Sequence, residues 1–156
     1  MMRRNFISRM LLIFSVLMLP WTAMAEDKIG ECGVCGGPIT ESSNLFVITD
    51  AAGKEQPYGC PGCGLSVLAK MDAAAQGRAK AQDFLRRTMI DPRQAWYVRG
   101  SEVGYCCQPS WLAFGTKAEA EKFTRGFGGE VLDFAAALKG AEQDHAQHVH
   151  EMQVQE

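Results

Sequence analysis

Six cysteines constrain this chain more than any other feature. Four form two knuckles, Cys32-Gly-Val-Cys35-Gly36 and Cys60-Pro-Gly-Cys63-Gly64, and the other two, Cys106 and Cys107, are adjacent. Thiols grouped in this way hold a metal, exchange electrons or staple the fold as disulfides. Two Cys-x-x-Cys-Gly knuckles separated by residues 36–59 are a strong zinc-ribbon signal: four thiolates close a tetrahedral shell, and the glycine after each pair lets backbone N–H groups turn toward the sulfurs. Copper(I) also prefers soft thiolates, often at low coordination number. Cys106 and Cys107 then form a separate two-sulfur site or join the knuckles in one cluster. A bond between these two neighbours themselves would be strained and reducible. Cys60-Pro61-Gly62-Cys63 opens a predicted helix, and a helix N-terminus makes a thiol nucleophilic, as in thiol–disulfide oxidoreductases. The βαβ pattern of such enzymes, and an aromatic just before the motif, are missing.

The N-terminus sets the compartment in which these thiols are expected to work. Arg3, Arg4 and Arg9 precede an apolar run from Met10 to Pro20. Ala23-Met24-Ala25 is a small-x-small cleavage site, followed by Glu26 and Asp27. These are the three parts of a secretory signal peptide, and the run is too short to span a membrane. Arg3-Arg4-Asn5-Phe6-Ile7 also resembles a twin-arginine signal, but the strongly apolar run favours the general secretory route. Cys32 follows Glu31 and so lacks the small residue that a lipid-anchoring cysteine needs. The expected product is a soluble periplasmic protein with no transmembrane span. Export favours disulfides over zinc without abolishing the zinc reading. Removing three arginines from the 16 basic residues leaves 13 against 18 acidic ones, and neither this balance nor any basic stripe suggests nucleic acid. After cleavage only Met71, Met89 and Met152 remain, so soft-metal capacity lies in cysteine.

The remaining pattern predicts an α+β fold. Leu45 to Thr49 and Lys54 to Tyr58 read as strands around a turn at Asp50 to Gly53. Leu65, Leu68, Ala69 and Met71 have helical spacing in a segment ending near Gly77, and Asp83 to Arg86 reads as a short strand. In the second half, Ala95 to Val98 and Val103 to Tyr105 read as strands around Gly100-Ser101, and Cys106-Cys107 follows. Thr116-Lys-Ala-Glu119 is a capping box that opens a helix with Ala120, Phe123 and Phe127 on one face, stopped by Gly128-Gly129. Val131 to Phe134 is a final strand, and Ala135 to about Gln147 a helix. Each half reads hairpin, cysteine pair, helix, with Tyr58-Gly59-Cys60 matching Gly104-Tyr105-Cys106, so an internal duplication is expected.

Residues 82–134 contain Gln-Asp-Phe-Leu, Met89-Ile90-Asp91, Ala95-Trp96-Tyr97-Val98, Gly100-Ser101, Phe114-Gly115, Glu119-Ala120, Phe123 and Gly128-Gly129-Glu-Val-Leu. With Cys32-x-x-Cys35-Gly36, this string resembles the NosL family of nitrous oxide reductase accessory proteins over roughly residues 30–135. The resemblance implies an exported copper(I)-binding protein that delivers metal to a client copper protein such as nitrous oxide reductase. It also implies two related βα units, a fold related to part of the organomercurial lyase. Family members are usually lipoproteins. The family's methionine after the second hairpin is replaced here near Cys106 or Cys107, and the Cys60–Cys63 knuckle is an addition.

The three histidines lie together in His145-Ala-Gln-His148-Val-His150-Glu-Met152. Imidazoles and a thioether suit copper or nickel, while a solvated tail is the plainer reading. Trp96, Tyr97, Trp111 and Phe114 read as core before pocket. Asp91 is a candidate proton carrier beside the cysteines, as a lyase would need.

The expected organisation is therefore a signal peptide over 1–25, a NosL-like metal-binding domain over 26–140 and a histidine-containing tail over 141–156. The expected metal ligands are Cys32, Cys35, Cys60, Cys63, Cys106, Cys107, His145, His148, His150 and Met152. Copper(I) is the expected metal, with zinc as the alternative, and binding and transfer are expected in place of turnover. A thiol–disulfide oxidoreductase, a zinc- or disulfide-stapled binding module and an organomercurial-lyase-like enzyme are the competing readings. If the signal reading holds, N-terminal sequencing of the exported protein will begin at Glu26; recovery of a full-length, membrane-bound chain would reject it.

Overall fold

The computed structural model describes residues 28–154 except Tyr105, without the side chains of Lys28, Ala75 and residues 148–154. The signal segment expected over 1–25 lies outside the described residues. The first knuckle is the turn of a hairpin. Strand β1 (Lys28–Glu31) pairs antiparallel with β2 (Pro38–Thr40). Between them Cys32 N–H donates to Gly37 O at 2.8 Å and Gly36 N–H to Cys32 O at 2.9 Å. Gly36 sits at φ +68°, where a side chain would be strained.

A second hairpin, β3 (Phe46–Thr49) and β4 (Glu55–Tyr58), closes through Asp50, whose carboxylate accepts the N–H groups of Ala52 and Lys54 at 2.8 and 2.9 Å. Helix α1 (Pro61–Leu68) starts inside the second knuckle. Cys60 is its extended N-cap residue, and Pro61 brings a pre-set φ to the first turn and no N–H to satisfy. The apolar segment expected to run as one helix to Gly77 is broken. Lys70 N–H turns back to Val67 O and Met71 N–H to Leu68 O, both at 3.1 Å, which tightens and ends the helix. A separate turn, α2 (Ala73–Gln76), precedes β5 (Ala79–Gln82), which pairs with β3, and β6 (Met89–Ile90) follows on the far side of β5. Asp83 to Arg86 is thus a turn and not the expected strand. The Asp83 carboxylate accepts the N–H groups of Leu85 and Arg86 at 2.9 and 2.7 Å, a local bond that competes with extended pairing.

In the second half β7 (Trp96–Arg99) pairs with β8 (Trp111–Phe114) and with β9 (Glu130–Leu132). Helix α3 (Lys117–Phe127) lies between β8 and β9 in sequence, and α4 (Phe134–Val154) ends the described chain. The expected strand at Val103 to Tyr105 is not found at Val103 or Gly104. The partner of β7 is β8, so Cys106 and Cys107 lie in the long connection between β7 and β8, whereas Cys60 and Cys63 follow the β3–β4 hairpin. What the halves share is topology. Each runs strand, strand, helix, strand, with sheet orders β4-β3-β5 and β8-β7-β9.

The Thr116 cap forms as expected: its hydroxyl accepts the Glu119 N–H. The Glu119 carboxylate takes the Thr116 hydroxyl proton and pairs with Arg86. Arg86 and then Thr116 hold that carboxyl down at about 2. Ala120 and Phe123 are buried, but Phe127, expected on the same inward face, is half exposed beside Phe123.

Helix α1 is buried nearly all round, between β3, β8 and α4. Its two glycines are packing residues. A Cβ on Gly64 would come within 2.2 Å of the Phe46 ring, and one on Gly62 within 2.5 Å of Trp111. The glycine after the second knuckle thus lets a helix backbone touch an aromatic ring, whereas Gly36 supplies a left-handed turn. Gly64→Ala sets two effects against each other. Helix propensity favours alanine by about 1 kcal/mol, while overpacking a rigid core costs about 3 kcal/mol. The expected net loss is about 2 kcal/mol of unfolding free energy, read as a lower urea midpoint at unchanged slope; an unchanged or higher midpoint would contradict the packing.

Candidate metal centre

Three segments far apart in sequence bring their sulfurs together. The β1–β2 hairpin supplies Cys32 and Cys35, the start of α1 supplies Cys60 and Cys63, and the β7–β8 connection supplies Cys106 and Cys107. Cys35 Sγ lies 3.2 Å from Cys106 Sγ, Cys63 Sγ 3.4 Å from Cys107 Sγ, and Cys106 Sγ 3.5 Å from Cys107 Sγ. All six are free thiols. They form two sets, Cys32-Cys35-Cys63-Cys106 and Cys60-Cys63-Cys106-Cys107, and within each set all sulfurs lie within 4.8 Å of one another. Either set has the donor chemistry of a soft-metal site. The open alternative from the sequence, separate sites or one cluster, resolves into one continuous group.

Glycines make this approach possible. A Cβ on Gly59 would lie 3.4 Å from Cys106 Sγ, and one on Gly37 would lie 3.4 Å from Cys35 Sγ and 3.9 Å from Cys106 Sγ. The Cys106 sulfur therefore sits against two stretches of bare backbone.

Burial and crowding divide the thiols by acidity. Hydrogen bonding from Cys106, then Cys63, pulls Cys32 well below the ordinary thiol range. Cys106, then Cys60 and Cys63, does the same for Cys107. Cys63 is pushed up, first by its bonds to Cys106 and Cys107, and Cys106 is pushed up, first by its bond to Cys107. Burial raises Cys35. The sulfurs form one hydrogen-bonded network, in which the Cys107 thiol donates to Cys106 Sγ.

One side of the network opens into a cavity of about 70 Å³. Cys35, Cys63 and Cys107 line it together with Trp111, Gln108-Pro109 and, from α4, Ala141, Asp144 and His145. That volume holds a few waters or one incoming side chain, not an organic cofactor. Asp144 pins α4 in place. It pairs with Arg99, whose Nε donates to Oδ2 at 2.9 Å, and accepts Trp111 Nε1–H at 3.0 Å.

Of the ten expected ligands, the six cysteines converge and His145 joins them at the cavity. His148, His150 and Met152 continue α4, but their side chains lie outside those described. Asp91 is not placed for the proton role expected of it. Its carboxylate is held by Arg93 at 2.6 Å, which keeps it below the usual carboxylate range, and it does not line the cavity. Of the four aromatics only Trp111 faces the cavity. Tyr97 and Phe114 are core, and Trp96 lies under Lys117. Sequence reasoning missed Arg99, Asp144, Gly37 and Gly59. Their roles arise from contacts across more than 20 residues and leave no local pattern, the flanking glycines in Gly36-Gly37 and Gly59-Cys60 being the nearest to a signal.

Comparison with known proteins fits this centre. The fold superposes on the crystal structure of the copper chaperone NosL from Shewanella denitrificans with a TM-score of 0.57 and 25% identity, covering 74% of this chain and 95% of that one. A curated relative, the HTH-type transcriptional repressor CutR of Bacillus subtilis (strain 168), is 32% identical over 115 residues. That match takes in 72% of this chain but only 59% of the repressor. The family model for NosL matches residues 59–140, more than half of the sequence and including four of the six cysteines, and the chain belongs to the NosL family.

Proposed function

We propose that this protein is an exported copper(I) carrier that holds its metal with cysteine thiolates and hands it to a client metalloprotein, nitrous oxide reductase being the candidate client. The observation that carries this reading is the convergence of six free thiols beside a cavity of side-chain size. Copper(I) is matched by soft sulfur donors and accepts low coordination numbers. A carrier must hold its ion tightly yet release it without first setting it free. The cavity leaves Cys35 and Cys107 approachable, so an incoming thiol or thioether of the client can replace one sulfur at a time. His145, which lines the cavity, is suited to hold the ion during that exchange.

The competing chemistries fit less well. The oxidoreductase reading rests on the sulfur at the helix N-terminus, Cys60, which is only 3% exposed and out of a substrate's reach. A lyase needs a proton donor beside its thiols. The carboxylate at this cavity, Asp144, accepts hydrogen bonds from Arg99 and Trp111.

Anaerobic titration with copper(I) against a chromophoric chelator tests the proposal. Cys106→Ser combined with Cys107→Ser should weaken copper(I) binding at least hundredfold and leave the far-UV spectrum unchanged; equal affinity in the double variant would sink it. Binding should also weaken as pH falls. Cys35, Cys63 and Cys106 have raised pKa values and keep their protons near neutrality, so coordination must expel those protons. Each proton displaced costs about tenfold in affinity per pH unit. An affinity that does not vary between pH 8 and pH 6 would show that these three thiols are not ligands.

The histidine segment is proposed as an auxiliary site. Truncation after Gln147 keeps Asp144 and its partners but removes His148, His150 and Met152. It should abolish a weak copper(II) or nickel class and spare the tight copper(I) class. Loss of the tight class would place primary ligands beyond Gln147.

A further inference from the structure

We infer that the six thiols hold a polynuclear copper(I)–thiolate cluster of at least two ions, with Cys63 and Cys106 as bridging ligands. This rests on the copper(I) reading above and goes beyond it in number and connectivity. The geometric ground is that the two four-sulfur sets share two members, Cys63 and Cys106. Cys32 and Cys35 belong to one set only, Cys60 and Cys107 to the other. Two ions served by these sets must therefore share Cys63 and Cys106, and the other four thiols become terminal ligands.

A single ion leaves the site poorly satisfied. A tetrahedral shell takes four sulfurs at most. Filling the first set strands Cys60 and Cys107 beside the ion, and filling the second strands Cys32 and Cys35. Cys32 and Cys60, one of which is stranded in either case, are 2% and 3% exposed, so water cannot compensate the one left over. Charge argues the same way. Four thiolates around one copper(I) set four negative charges against one positive, and Arg99 is already paired with the cavity residue Asp144. A second ion replaces shared protons with positive charge in the middle of the group.

The two proposed bridges are the sulfurs common to both sets, and each touches a sulfur from another segment. Cys106 contacts both Cys35 and Cys107, and bare backbone at Gly37 and Gly59 allows its approach. Cys63 lies in the first turn of the rigid helix α1 and contacts Cys107. Loading involves no change of oxidation state: copper enters as copper(I), each protonated thiol that becomes a ligand releases one proton to solvent, and each copper–sulfur bond replaces an S–H bond or a hydrogen bond between sulfurs.

The test combines native mass spectrometry of the reduced, signal-free chain titrated anaerobically with copper(I) and X-ray absorption spectroscopy of the loaded protein. Two or more ions retained against the chelator, with sulfur in the first shell and a copper neighbour in the next, support the cluster. Cys60→Ser with Cys107→Ser keeps one complete set, so capacity should fall to a single ion and the copper neighbour should vanish. One ion at saturation in the wild-type protein, or two ions without a copper neighbour, would overturn the bridged cluster and leave the copper(I) reading standing. No copper retained against the chelator would overturn both. The wild-type stoichiometry decides the matter even where a variant fails to fold.

Discussion

Asp83 and Asn44 tie the two halves of the molecule together, and the metal centre depends on that tie. The Asp83 carboxylate holds its own turn and also accepts Gly115 N–H from the second half at 2.6 Å. Asn44, fully buried, donates to Gln82 O at 2.8 Å and accepts Ala113 N–H at 3.2 Å. Phe84 N–H adds a bond to Ala113 O at 2.7 Å. These bonds fix β8 against the first sheet. The cysteine pair sits just before β8, and Trp111, the first residue of β8, packs on Gly62 in α1. One joint thus sets the position of Cys106 and Cys107 over both knuckles. Contacts between thiols could not do this alone, because holding three free loops together costs more conformational entropy than a few weak S–H bonds return.

The convergence also sets the chemistry. Six thiols brought this close cannot all ionise, and in the metal-free protein they share protons unequally, with Cys32 and Cys107 as the acidic members. A soft cation is what such a group lacks. It replaces protons, satisfies several sulfurs at once and reduces the buried charge that separate thiolates would carry. The fold positions the ligand array through the joint at Asp83 and Asn44.

Much of the architecture was legible in the sequence, and the failures have physical causes. The β3–β4 hairpin, the Thr116 cap, β7 and the stop at Gly128 follow from turn residues, capping chemistry and alternation, all short-range signals. The strand expected at Val103 to Tyr105 is not found at Val103 or Gly104, because Gly100-Ser101 only looks like a tight turn. The chain instead runs through a long connection, in which Ser101 and Ser110 hydrogen-bond each other, before it pairs at Trp111. Asp83 to Arg86 failed because the aspartate's bonds to its own backbone cannot be told from sequence alone. The six cysteines were legible as donors but not as a group: knuckles predict pairs, and only the joint between halves says that three pairs meet. Asp144 was invisible for the same reason, since its partners Arg99 and Trp111 lie 45 and 33 residues away.

The same closeness that suits these sulfurs to share an ion suits them to oxidise. Cys35 faces Cys106, and Cys63 faces Cys107, across segments that the fold already holds together. In the exported compartment proposed for the protein, thiols so placed are exposed to oxidants, and a disulfide removes two ligands at once. A copper(I)-bound thiolate has its electron pair engaged and is a poorer nucleophile. Metal and disulfide therefore compete for the same atoms, and the loaded state is the one that resists oxidation. Burial of Cys32, Cys60 and Cys63 acts in the same direction by keeping oxidants from half of the group. The half-buried sulfurs Cys35, Cys106 and Cys107 are the ones left reachable. Cys35 and Cys107 line the cavity through which metal is proposed to pass, so the route for exchange is also the route for damage.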